Sequence, residues 1–329
     1  MNEKKNIYEI LEEEITLSDL PANEKNERLS HLIRMREKKC NIILIGAAGS
    51  GKSSTVNALF NMEVAKVGVG ADPETSDITS YTLDNLTIWD TPGIGDGVKS
   101  DARYCRTLIN KLSETDKNGE PLIDLVMVVL DASSKDLGAS FDLINNVVIP
   151  CLGKENKNRI LIGLNQADVA MKGKHWDYEK NEPDKVLLEF LKEKTESVQK
   201  RIYESTGLSI RPVYYCAGYK EGCGEQCKPY NLTKLLYYIV KSIPMEKRLV
   251  FADNINADED MWLHDDNEKD YRKAVIKGFF DSIINGMEIG ADEGAAFGKK
   301  MLGIPGQAVG FVVGGACGAI KGFFDRIFG

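Results

Sequence analysis

Short apolar runs alternate with longer amphipathic stretches through roughly the first 250 positions. Cys40-Asn41-Ile42-Ile43-Leu44-Ile45, Asn85-Leu86-Thr87-Ile88-Trp89 and Arg159-Ile160-Leu161-Ile162-Gly163-Leu164 are bounded by turn or polar residues and read as buried strands. The spacing predicts strands near 41–46, 77–83, 86–90, 124–131, 159–165 and 211–216. The run 124–131 is apolar throughout its interior, which marks a central strand covered on both faces. Helical stretches fall between the strands, and Tyr230–Ile243 reads as the closing helix. This alternation predicts an α/β fold with a doubly wound, mostly parallel sheet.

The pattern changes at both ends. Residues 6–14 and 23–38 read as helices separated by Pro21; Leu29, Leu32 and Ile33 share one side of the second. Residues 257–270 carry seven acids and one Lys and read as an exposed linker. Further on, glycines at 278, 286, 290, 294, 298, 306, 310, 314, 318 and 322 share one four-residue register, with Ser282 and Leu302 in its gaps. On a helix that register makes a groove for close approach by another helix. Pro305 splits the tail into helices expected at 268–302 and 306–328. The chain thus divides into a helical segment (1–38), an α/β domain (39–250), an acidic linker (251–270) and a glycine-zipper tail (271–329).

Chemistry enters at the strand ends. Gly46-Ala47-Ala48-Gly49-Ser50-Gly51-Lys52-Ser53 has the spacing of a phosphate-binding loop and lies between a strand and a helix, the context it requires. Its glycines let backbone N–H groups point at phosphates, and the helix N-terminus adds its dipole. Gly46, Gly49, Ser50, Gly51 and Ser54 are candidate nucleotide contacts; Lys52 is expected on the outer phosphates and Ser53 on magnesium. Asp90-Thr91-Pro92-Gly93 ends another strand: Asp90 can hold magnesium through water, and the Gly93 N–H can sense the outermost phosphate. Gly68–Thr75 reads as a mobile loop carrying Thr75 as a second magnesium ligand, with Thr79 as the competing candidate. Asn165-Gln166-Ala167-Asp168 ends a third strand. Asp168 can accept from the N1–H and 2-amino group of guanine, a donor pair adenine lacks. Asn165 can tie this loop to the phosphate loop, and Gln166 can pack on the base. The loop Cys216-Ala217-Gly218 can offer the Ala217 N–H to the guanine carbonyl oxygen.

With these motifs in order, residues 25–250 resemble the Era/EngA-type GTPases of the translation-factor-related (TRAFAC, HSR1/MMR-related) class, and within it the YfjP-like branch of ribosome-binding GTPases. The resemblance rests on G-A-A-G-S-G-K-S-S, A-D-P-E-T-S-D-I-T, W-D-T-P-G-I-G-D-G, L-D-A-S-S-K-D-L-G and L-N-Q-A-D. It implies a P-loop GTPase domain binding GTP or GDP with Mg2+ and hydrolysing GTP slowly. The family's second base-loop residue is usually Lys; Gln166 lacks that charge. The position that supplies a water-orienting Gln in small signalling GTPases is Ile94, and the phosphate-loop Asn that holds potassium in some relatives is replaced by Gly49. Three sources of catalytic assistance remain: the switch-loop backbone, a cation from a partner, or Lys99, Arg103 or Arg106. These three basic residues also fit the solvated face of a helix.

Composition narrows the partners. A net charge of −8 without basic clusters argues against extended DNA binding and against a polybasic route to acidic lipids. Met1-Asn2-Glu3-Lys4-Lys5 lacks the apolar run of a secretory signal, and seven Cys fit a reducing cytoplasm. The spacing of Cys216, Cys223 and Cys227 matches no usual zinc pattern. Residues 301–320 contain no charge, about the length needed to span a bilayer, but six are Gly. The tail therefore has three readings: a soluble hairpin, a self-association surface or a membrane-inserting element. The expected function is a GTP-hydrolysing switch whose nucleotide state controls that tail; the alternatives are a ribosome-associated timer and a scaffold with negligible turnover.

Overall fold

The computed structural model describes residues 5–60, 78–94, 98–219, 228–287 and 311–328, the side chains of 98–100 and 311–319 excepted. Thr75 and its loop, Cys223, Cys227 and the zipper glycines from 290 to 310 lie outside the described residues, as does the Lys99 side chain. Two helices, α1 (Ile7–Leu17) and α2 (Ala22–Arg36), precede β1 (Cys40–Gly46) and α3 (Lys52–Phe60). Then come β2 (Thr79–Leu83), β3 (Leu86–Asp90), α4 (Val98–Leu112), β4 (Leu125–Asp131), α5 (Gly138–Leu143) and α6 (Ile149–Leu152). A π-helical turn, Ile144–Val148, joins the last two, next to Pro150. The chain continues through β5 (Ile160–Asn165), the two-residue strands β6 (Trp176–Asp177) and β7 (Glu182–Pro183), α7 (Lys185–Thr206), β8 (Val213–Tyr214) and α8 (Leu232–Ser242). It closes with α9 (Leu249–Ala252), α10 (Tyr271–Gly286) and α11 (Phe311–Phe328).

Six strands form one sheet in the order β2-β3-β1-β4-β5-β8, and only the β2–β3 pair is antiparallel. This is the doubly wound, mostly parallel sheet expected. Alternation along β1 explains the layering. Ile42 and Leu44 face a core with α1, α2, α3, α8, α9, α10 and α11. Ile43 and Ile45 face the opposite core, with α4, α5, α6 and α7. The strand ends where the loops turn form one rim of this three-layered body.

Local signals set the helix ends. Asn6 and Glu9 form a reciprocal capping box at α1, and Asp184 accepts from the Val186 and Leu187 N–H groups at the start of α7. Pro21 stands at the N-cap of α2, where its missing N–H costs nothing. β8 covers two residues rather than 211–216, because it is the sheet's edge and only Gly163 and Leu164 pair with it.

Residues 251–270 differ from the expected exposed linker. Phe251, Ala252, Ile255, Met261 and Trp262 are buried in the first core. The acids do local work there. Asp266 accepts from Tyr214 and Lys234, and Glu268 pairs with Lys192 and Lys234. The terminal helix α11 packs against α1 and α10. Phe324 stacks on Phe279 at 5.3 Å, Phe328 meets Trp262 edge-on at 5.6 Å, and Arg272 donates to the Phe328 carbonyl at 2.6 Å. Among the described residues, no helix is long and apolar enough to cross a membrane.

Candidate functional site

The site lies where β1, β3 and β5 end together. β1 turns at Gly46 into a loop that re-enters helix at Lys52. Gly49 (φ +73°) and Gly51 (φ +85°) adopt the left-handed backbone that this tight reversal needs. Gly51 is also fixed sterically: a Cβ there would lie 2.1 Å from Asn165 Nδ2. Lys52 is buried and donates to the Gly46 and Ala47 carbonyls at 3.3 and 3.1 Å, so its ammonium lies along the loop. Ser54 is half-buried in the first turn of α3.

Asp90 comes to this loop from the end of β3. The Ser53 hydroxyl donates to its Oδ2 at 2.9 Å, which brings two of the described magnesium candidates into contact; the third, Thr79, opens β2 beside Asp90. Burial pushes the Asp90 carboxyl above its usual range, against the opposing effects of the Ser53 hydrogen bond and the Lys52 charge. Gly93 presses on the loop so closely that a Cβ would sit 2.2 Å from the Ala48 nitrogen. Ile94 then pairs with the loop backbone. Its N–H donates to the Gly46 carbonyl and its carbonyl accepts from the Ala48 N–H, both at 3.3 Å. The Ile94 side chain is buried in the second core. Arg103 and Arg106 are exposed on α4.

The second wall is the loop after β5. The Asn165 side chain bridges two segments, donating to the Ser50 carbonyl and accepting from the Ala217 N–H, each at 3.0 Å. Gln166 donates to the Gly49 carbonyl at 2.6 Å. Asp168 is buried, and no described group donates to its carboxylate. One expectation changes: the Ala217 N–H is engaged by Asn165 rather than directed at a base, because Asn165 needs that donor to complete its bridge.

Sequence reading missed the braces behind these loops. The Thr91 hydroxyl donates to the Leu44 carbonyl at 2.8 Å and lies 3.0 Å from the Tyr104 hydroxyl of α4. Lys194 of α7 donates to the Ala132 and Ser134 carbonyls, and the Ala132 N–H donates to the Asn165 carbonyl. The hydroxyls of Thr55 and Tyr215 meet at 2.7 Å. Such contacts join distant segments, and no local spacing announces them.

The donor set fits a nucleotide and a hard cation. Ser50 Oγ and Asp90 Oδ1 are buried with no hydrogen-bond partner among the described residues. Buried polar atoms without partners are costly, and ligands commonly satisfy them. A hydroxyl and a carboxylate are oxygen donors of the kind magnesium takes. The Asp168 carboxylate, to which no described residue donates, is suited to a two-donor base edge.

Comparison with known proteins agrees with this chemistry. Residues 41–166 match the family described as "50S ribosome-binding GTPase". Two Escherichia coli (strain K12) proteins are similar, each over 166 residues covering 47% of this chain and 51% of their own length. They are Uncharacterized protein YfjP (26% identical) and Uncharacterized protein YkfA (25%). The chain therefore spans about half the length of the curated relatives it matches. Similar solved structures include Toc33 from Arabidopsis thaliana in complex with Mg2+ and GMPPNP (16% identity, TM-score 0.41, covering 72% of this chain and 91% of that one). Aquifex aeolicus Era bound to GDP.AlF4- is another (18%, TM-score 0.38, 63% and 57%). The family match thus covers residues 41–166, the segment that carries the phosphate loop, Asp90 and Asn165, and it is a match to a GTPase family.

Proposed function

We propose that the protein is a switch that binds and slowly hydrolyses GTP and couples its nucleotide state to the C-terminal helices. The carrying observation is the convergence at one rim of the phosphate loop, the Ser53–Asp90 pair and the buried Asp168 carboxylate. In this reading Lys52 leaves the Gly46 and Ala47 carbonyls to face the outer phosphates, with the loop N–H groups cradling the rest. Ser53 and Asp90 hold the cation between them, with Thr75 as the further ligand; when bound, Mg2+ offsets charge on the transferring phosphoryl group. Gly93 senses the outermost phosphate, and Asp168 reads guanine. Within the GTPases this set belongs with the Era/EngA-type class and its YfjP-like branch.

Turnover is slow because position 94 offers no side chain to orient water, its isoleucine being packed away in the core. Assistance comes from switch backbone or a partner. The tail is included because it connects to the far end of α3. Asn256 binds the Leu59 and Ala58 carbonyls at 2.8 and 3.1 Å, and its own carbonyl accepts from the Trp262 indole, which packs on Phe328. The buried Phe323, Phe324 and Phe328 meet a membrane or a second copy only when α11 undocks, which makes attachment conditional; a cytoplasmic location is part of the same proposal. The description of the matched family favours one alternative, ribosome association with hydrolysis as a timer.

The test uses full-length protein. GTP turnover per molecule is measured over a range of protein concentrations, and liposome flotation is compared with GDP and a non-hydrolysable GTP analogue. Slow turnover that rises with concentration, and flotation dependent on nucleotide, are expected. Fast, dilution-independent turnover refutes the catalytic part; co-sedimentation with ribosomes without flotation favours the timer.

A further inference from the structure

Tyr215 is fully buried, yet its polar atoms reach β5, the base-reading loop after it and the first turn of α3. Its N–H donates to the Leu164 carbonyl at 2.9 Å, and its carbonyl accepts from the Ala167 N–H at 3.1 Å, inside the base-reading loop. Its ring then passes under β5 at Gly163, where a Cβ would stand 2.7 Å from Tyr215 Cε1. A side chain at 163 would block that passage. Beyond it the phenol reaches Thr55, in the first turn of α3, at 2.7 Å. The Thr55 hydroxyl has one proton, and it donates to the Gly51 carbonyl at 2.8 Å. The phenol is therefore the donor to Thr55. Burial raises its pKa, which keeps that proton in place.

We propose that Tyr215 is a positioning residue, a strut that fixes the base-reading loop relative to the phosphate loop so that base and phosphates bind as one rigid unit. The inference rests on the nucleotide reading above. Three links join the loops, at Gly49, Ser50 and Gly51. Gln166 and Asn165 grip the Gly49 and Ser50 carbonyls directly, and Tyr215 holds Gly51 through Thr55 from beneath the sheet. The first two come from adjacent residues of one loop; the Tyr215 link comes from a different segment and fixes the phosphate loop from its other side. The strut touches no ligand, so its effect falls on ligands that engage both loops. A ligand of the phosphate loop alone does not depend on it.

The test compares full-length wild type with Tyr215→Phe, Thr55→Val and the double variant by calorimetric titration with Mg2+–GDP and with Mg2+–pyrophosphate. Tyr215→Phe is expected to weaken GDP about fivefold, the worth of one neutral hydrogen bond, and to change pyrophosphate less than about twofold. The double variant should be no weaker than the stronger single effect, since both remove the same link. Thr55→Val reads the same link if Tyr215→Phe does not fold. Unchanged GDP affinity overturns the proposal, as do equal losses for GDP and pyrophosphate or losses that multiply in the double variant. If wild type binds pyrophosphate but not GDP, the nucleotide reading itself fails, and this one with it.

Discussion

Replacing Asn165 with alanine removes the two hydrogen bonds that its side chain makes across the candidate site, each 3.0 Å long, and leaves the Gln166–Gly49 bond in place. A neutral bond of this kind contributes about 1 kcal/mol net, so the pair contributes about 2 kcal/mol. Asn165 is only 3% exposed, so the Ser50 carbonyl and Ala217 N–H lose their partner in a poorly hydrated place. Leaving the two buried groups unsatisfied raises this to about 1–3 kcal/mol for each, a total loss of roughly 2–6 kcal/mol. Urea unfolding at pH 7.5 reads the stability, and titration with Mg2+–GDP reads the site. Asn165→Asp separates the two bonds. It retains an acceptor for Ala217 but sets a carboxylate oxygen against the Ser50 carbonyl, raising the introduced acid's pKa by burial and by the facing oxygen. Its charge penalty is present above that raised pKa and fades as pH falls through it, when the protonated acid can donate to Ser50. Asn165→Asp should therefore approach wild-type stability near pH 4–5, while Asn165→Ala should not. A loss below about 1 kcal/mol for alanine, or parallel pH profiles for the two variants, would refute the bridging role.

Two other substitutions probe the site's rim and the packing of the N-terminal helix. Gly93→Ala places a Cβ 2.2 Å from the Ala48 nitrogen, where an ordinary contact needs about 3.5 Å, so the loops must part by more than about 1 Å. Binding of a non-hydrolysable GTP analogue should fall at least tenfold, with about 1–3 kcal/mol lost in thermal unfolding; unaltered binding contradicts the close approach. Asp253 accepts from the Ile7 N–H at 2.6 Å, while burial, Asp84 and Glu9 push its carboxyl up to about 6 against Arg36 and that hydrogen bond. The folded chain then binds more protons than the unfolded one between about pH 4 and 6 and loses stability as pH rises through that window. Asp253→Asn keeps the acceptor without the charge, so it should stabilise by about 1–2 kcal/mol at pH 7.5 and by almost nothing at pH 4; an equal effect at both pH values rules the charge out.

Legibility followed the range of the interaction. β1, β3, β4 and β5 begin and end within a residue or so of their expected positions: β1, β4 and β5 are apolar-rich runs buried on both faces, and β3 alternates buried with half-buried positions. The loop motifs were legible for the same reason, since each sits within a few consecutive residues at a strand end. The acidic stretch misled because seven acids outnumber Met261 and Trp262, although those two buried side chains decide where the segment lies. Charge on a short segment is readily placed outward or paired, whereas a buried indole leaves no such choice. Tyr215 and Thr55 are 160 residues apart, and neither belongs to a local pattern. Only the order β4-β5-β8, which sets Tyr215 beside the side-chain-free Gly163, reveals their contact.

The helix α3 shows why the two halves of the chain depend on each other. At nine residues it is too short to persist in water unaided, so packing and capping must hold it. Its N-terminal turn carries Lys52, Ser53 and Thr55. Its C-terminal carbonyls at Ala58 and Leu59 are capped by Asn256, and Phe60 packs on Phe251 at 5.9 Å. The cap thus comes from the same acidic stretch whose Trp262 supports the terminal helix. The proposed switch predicts that a change loosening Trp262 or Phe328 should free the carbonyl end of α3 and leave the phosphate loop less ordered. By linkage it predicts the converse: a ligand that orders the loop should stabilise α3 and, with it, the docking of the tail, read as slower protease cleavage before α11 in the presence of Mg2+–GDP.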